Sequence, residues 1–154
     1  MRAYDSIKAE RGFTLESPEF LERSRQILSK SQTVEICMSG SSMRPAIEDG
    51  DLVTIEPIID GKINQGDIVL YQSRFDTAVI HRVIRIERFS SERIVITRGD
   101  AASQSDLAIP LAKILGRVKN IERAGESIKM VRPKNRFSQW FWGLLRRLQF
   151  WSRD

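Results

Sequence analysis

The spacing of apolar positions changes character twice along this chain. Residues 1–16 are polar and carry no period, and read as a mobile arm. Ser17-Pro18-Glu19 then combines a hydroxyl N-cap, a proline in the first turn and an acid facing the helix dipole. Phe20, Leu21, Ile27 and Leu28 follow at helical spacing and predict a short amphipathic helix over 18–30. A helix this short must lay its single apolar face on something, and its own domain is the favoured surface. From Thr33 the period falls to two. Strands rich in β-branched residues are predicted over 33–38, 51–56, 67–72, 78–87, 93–97 and 114–121, with a further short one over 128–131. Glycine–aspartate corners separate many of them: Asp49-Gly50-Asp51, Asp60-Gly61, Gly66-Asp67 and Gly99-Asp100. Many strands with tight corners and no convincing helix between them predict a mostly β fold, a partly closed, coiled antiparallel sheet. The expected organisation is an arm and helix over 1–32, a β domain over 33–132, and a helical tail over 133–154.

Composition narrows this picture. A hydrophobic content of 41% with 29% charged residues is that of a globular domain and excludes a disordered chain. Cys37 is the sole cysteine, so no intramolecular disulfide can form, and one Cys with one His cannot supply the four ligands of a structural zinc site. The net charge of +5 is concentrated from Arg117 onward, where ten Lys/Arg face three Asp/Glu. The tail also holds all three tryptophans, Trp140, Trp142 and Trp151, interleaved with Arg146 and Arg147. That mixture suits peripheral contact with a membrane surface; packing on the domain or docking on a partner are the alternatives, and no nucleic-acid partner is expected. No stretch reaches the ~18–20 apolar residues of a membrane span. The N-terminus is too polar for a secretory signal, so the expected location is the cytoplasm, peripheral to a membrane face.

The candidate chemistry starts at Cys37-Met38-Ser39-Gly40-Ser41-Ser42-Met43-Arg44-Pro45. Gly40 allows a sharp turn and Pro45 stops it from winding into a helix, so Ser41 and Ser42 stand on a constrained corner. A serine hydroxyl needs a neighbouring base to become a nucleophile. The one histidine, His81, lies in Val79-Ile80-His81-Arg82-Val83, where alternation puts it on the face of Val79 and Val83, semi-buried and favoured as the neutral ring. A base also wants a carboxylate on its second nitrogen, and Asp100 and Asp106 both follow in the next loop.

Three pieces, Gly40-Ser41-Ser42-Met43-Arg44-Pro45 with Gly50-Asp51, Gly66-Asp67-Ile68-Val69 leading to Ile80-His81-Arg82-Val83, and Arg98-Gly99-Asp100 through Asp106 to Gly116-Arg117-Val118, stand in an order that resembles the signal peptidase I superfamily of serine endopeptidases, which includes the LexA-type self-cleaving repressors. The resemblance implies that fold over roughly 33–121 and implies Ser42 as nucleophile. His81 stands where many members carry lysine, which resembles the Ser–His–Asp branch. There the catalytic aspartate lies six residues beyond the Gly-Asp aspartate, which implies Asp106 as orienter with Asp100 as a further contributor. The implied oxyanion and substrate-binding group is the Ser42 N–H with Ser41, Ser39 and Met43, since the position two before the nucleophile is Gly40. The implied substrate is a peptide or precursor protein, and no cofactor is called for. Members that process exported proteins carry a membrane helix before the serine; here the 18–30 helix and the Trp-rich tail are expected to replace it. A non-catalytic peptide-binding module is the alternative. A self-cleaving regulator ranks last, because no DNA-binding helix pair precedes the β domain.

Overall fold

The structure is a computed structural model that describes residues 7–8, as backbone, and residues 17–130. One helix, α1 (Pro18–Ser29), precedes most of the sheet, and the Ser17 hydroxyl accepts a hydrogen bond from the Phe20 amide as its N-cap. The strands are β1 (Ile7–Lys8), β2 (Val34–Cys37), β3 (Leu52–Pro57), β4 (Ile68–Gln72), β5 (Ala78–Phe89), β6 (Glu92–Arg98), β7 (Ile109–Pro110), β8 (Ile114–Arg123) and β9 (Glu126–Ser127). They form one sheet in the order β1-β2-β3-β8-β4-β5-β6-β7, with β9 paired to β8. Every pairing is antiparallel except β1 on β2, which is parallel. Register shifts interrupt β3–β8 after Thr54, β4–β8 after Leu70 and β5–β6 after Val83. Such irregularities increase local twist, which is how a sheet of this width curls instead of lying flat.

The mostly β, coiled antiparallel fold is as the pattern predicts, and six of the seven expected strands appear within a residue or two of their bounds. The seventh differs: the chain pairs at Glu126–Ser127, and beyond it Ile128 only donates its amide to Ile121 O, at 2.7 Å. Two strands went unpredicted. β1 lies in the arm read as unpatterned, and β7 is two residues ending in Pro110, too short to show a period. The tail over 133–154 lies outside the described residues.

Side chains pack on both faces of the central strands. Ile68, Leu70, Ala78 and Ile80 join Phe20, Leu21 and Leu28 of α1, together with Met38, Met43 and Ile47, in the larger cluster. Val69, Tyr71, Val83, Val95 and Ile109 form the second. α1 therefore spends its apolar face on its own domain. Burying side chains of this kind stabilises by about 1.5–3 kcal/mol each. The expectation that this helix substitutes for a membrane anchor is corrected by that burial, because no apolar face is left over to enter a lipid surface.

Candidate active site

The serine turn is tied down at its neck and along its length. Met38 N donates to Asp51 O and Gly50 N donates to Met38 O, each at 2.8 Å, closing the loop between β2 and β3. Gly40, at φ +97°, makes the sharp reversal, and its N–H donates to Asp49 Oδ1 at 3.0 Å. Arg123 holds the buried Asp51 carboxylate with two bonds of 2.9 and 2.8 Å, and Asp51 Oδ2 also accepts from the Glu48 amide. Those bonds hold the Asp51 carboxyl below the usual range, first through the Arg123 hydrogen bond, although burial opposes the shift. Met43 and Ile47 plunge into the core while Ser39, Ser41 and Ser42 stay exposed. Met43 is thus corrected from a substrate-facing role: its side chain is a buried anchor, only 2% exposed.

His81 sits on β5 opposite Val69 of β4, as alternation requires, with Val79 and Val83 packing on the same side. Its Nδ1 lies 2.7 Å from Asp106 Oδ2. The loop after β6 returns Asp106 to this point, because the Asp106 amide donates to Thr97 O at 2.8 Å. The same Oδ2 accepts the Thr97 hydroxyl at 2.7 Å and the Tyr71 phenol at 3.2 Å. Burial pushes the Asp106 carboxyl up, but the bonds from His81, Thr97 and Tyr71 together outweigh it and hold the group below its ordinary value. Burial drives the Tyr71 phenol far above its usual range, and the Asp106 charge adds to the shift.

Asp100 lies elsewhere. Its carboxylate is gripped by Arg82 Nε at 2.7 Å and Nη2 at 2.6 Å, while Arg82 Nη1 donates to Gly66 O at 2.9 Å. As a partner of the imidazole Asp100 is therefore corrected: it clamps the turn that follows β6. A two-point charge-assisted pair of this kind fixes geometry strongly, and both of its members are largely withdrawn from solvent.

The Ser42 backbone carbonyl and the His81 ring both lie over Gly99. A Cβ placed on Gly99 would lie 2.6 Å from Ser42 O and 3.1 Å from His81 Nε2. The Ser42 carbonyl is held there by the Ala101 N–H at 2.9 Å, within the turn that Arg82 and Asp100 brace. The structure thus brings Ser42, His81 and Asp106 to one side of the sheet. Among the described residues the Ser42 hydroxyl makes no hydrogen bond, His81 included, and the Ser42 N–H has no acceptor. Sequence reasoning missed Gly99 as a contact point, and missed Tyr71 and Thr97 altogether. Strand alternation would have put both on the histidine's face had the register been known.

A model of the Peptidase S24-like family matches residues 6–119. The chain belongs to the Peptidase S24-like family. The relatives place it in the signal peptidase and LexA-like superfamily that its motifs resemble. It is 31% identical over 77 residues to Signal peptidase I W of Bacillus subtilis, covering 49% of this chain and 40% of that protein. It is 28% identical over 88 residues to the signal peptidase complex catalytic subunit SEC11 of Scheffersomyces stipitis, covering 56% and 52%. With SEC11 of Lodderomyces elongisporus the identity is 26% over 99 residues, covering 64% and 59%. The matched segments thus span roughly half the length of these relatives.

Two outcomes follow for this S24-like site. Gly99→Ala forces a methyl against the Ser42 carbonyl and should lower stability by about 1–3 kcal/mol in chemical denaturation; an unchanged midpoint would show that the contact yields freely. The Asp106 carboxyl is depressed in the folded chain, so its contribution to stability is complete above the ordinary carboxylate range and is lost as pH falls through the lower folded value. The stability difference between wild type and Asp106→Asn should therefore shrink below about pH 4, and a difference that stays constant down to acid would contradict the assignment.

Proposed function

We propose that this chain is a serine endopeptidase that cleaves an extended peptide or precursor protein through an acyl-enzyme on Ser42. The observation that carries this reading is that the Ser42 backbone and the Nε2 of an Asp106-bound imidazole lie side by side over Gly99. With Nδ1 engaged by the carboxylate, the neutral ring carries its proton there and offers the Nε2 lone pair on the Ser42 side. For the reaction Oγ has to reach that nitrogen, and such bonds commonly tighten only around bound substrate. Oγ attacks the peptide carbonyl and passes its proton to Nε2, and the imidazolium then gives that proton to the departing amine. Water repeats the sequence in reverse roles and releases the acid. The free Ser42 N–H donates to the developing oxyanion. Gly40 N–H is already given to Asp49, so the exposed Ser41 and Ser39 hydroxyls are the candidates for a second donor. The relatives' names favour removal of a signal peptide from a precursor as the substrate class.

The reading extends to the Trp- and Arg-rich segment over 133–154 as the contact with a membrane surface. Among the described residues no helix is long and apolar enough to cross a membrane, and α1 is committed to the core.

A fluorophosphonate probe should label the full chain at Ser42, and labelling should vanish in Ser42→Ala and fall about 100-fold or more in His81→Ala. A folded wild type that resists the probe would favour a peptide-binding module on the same fold. Labelling indifferent to His81→Ala would remove the imidazole from the mechanism. In flotation with anionic liposomes the full chain should rise with the vesicles, and a variant with Trp140, Trp142 and Trp151 all changed to Ser should not; a wild type left in the soluble fraction would refute the membrane contact.

A further inference from the structure

Three neighbouring strands each send one donor to the same oxygen. Tyr71 on β4 stands beside Val79, and Thr97 on β6 stands beside Val83, so the two hydroxyls flank His81 diagonally from either side. All three donors converge on Asp106 Oδ2: His81 Nδ1 at 2.7 Å, Thr97 Oγ1 at 2.7 Å and Tyr71 OH at 3.2 Å. Thr97 is wholly buried and Tyr71 is 3% exposed, whereas Asp106 comes from a loop and its side chain remains 29% exposed. A single bond to an imidazole would leave that carboxylate free to swing on its loop. Two hydroxyls on rigid strands remove that freedom and draw negative charge off the oxygen that faces the ring.

We infer that Tyr71 and Thr97 are positioning residues for the proposed reaction: they lock Asp106 Oδ2 onto His81 and ration the charge it places against the imidazole. The inference rests on the serine-peptidase reading for its catalytic meaning, but the arrangement itself is testable without turnover. Among the described residues, the ionisable groups facing the imidazole are Asp106 and Tyr71, while the adjacent Arg82 points to the other face of β5 and is neutralised by Asp100. Removing either hydroxyl leaves more of the carboxylate's charge at Nδ1–H, which favours the imidazolium and moves its titration upward in pH.

His81 is the only histidine, so its ring signals in an NMR titration of labelled full-length chain are unambiguous. The midpoint should rise in Tyr71→Phe and in Thr97→Val, and return to the wild-type value in Thr97→Ser, which restores a hydroxyl. In an Asp106→Asn background, Tyr71→Phe should move it no further. The acid limb of fluorophosphonate acylation should move up with the midpoint, and the rate at neutral pH should fall about ten-fold in Tyr71→Phe. A midpoint that stays put in both hydroxyl deletions would overturn the inference. So would one that moves equally with and without Asp106, since the hydroxyls would then act through the fold. If the midpoint moves as expected while the wild type is never acylated, the positioning arrangement stands and the peptidase reading falls. If the wild type is acylated and the midpoint does not move, the reverse holds.

Discussion

The site depends on the absence of a side chain at Gly99. The backbone there is ordinary in φ, so glycine is required not for a turn but because Ser42 O and His81 Nε2 already occupy the volume that a Cβ would take. Protein interiors tolerate little overlap, and a backbone carbonyl cannot move aside as a flexible side chain would. The strand end that carries Gly99 is therefore the floor on which the serine turn rests. The Ala101 N–H fastens the turn to that floor, and the Arg82–Asp100 pair keeps the floor from shifting.

That arrangement explains why residues adjacent in sequence do different work. His81 and Arg82 leave β5 on opposite faces: one meets Asp106, the other braces the Gly99–Asp100 turn. Asp100 and Asp106 share a loop, yet one is bound by a guanidinium and the other by an imidazole and two hydroxyls. Ser42 and Met43 divide in the same way, the first exposed and the second sunk in the core. In each pair one residue anchors the fold and the other is left to the candidate site.

Much of this was legible from residue order. Alternation set the β5 face of His81, and Gly40 with Pro45 marked the constrained serine corner. The Asp106 assignment needed the family resemblance, because the loop closes through a bond from its amide to Thr97 O that local sequence does not encode. Tyr71 and Thr97 stayed hidden for a related reason: each lies on the correct face of its strand, but which strands adjoin β5, and in what register, is decided by the whole sheet. Met43 misled because proximity to the nucleophile suggested a shared surface, when the turn needed a core anchor. The free use of α1 as an anchor failed because the sheet's larger cluster had room for its apolar side.

The bulge in β5 beyond Val83 separates two halves of a single twelve-residue strand. The first half, wedged between β4 and β6, carries His81. The second runs out to a hairpin ending near the exposed Phe89. A gain or loss of residues at that hairpin tip can be taken up at the irregularity without slipping the inner half by one place and exchanging the ring for a guanidinium. Loop grafts, tags or natural length variation are thus tolerated at the far end of β5, whereas the short β4–β5 turn, with no such buffer before the histidine, is where a one-residue change would reach the site.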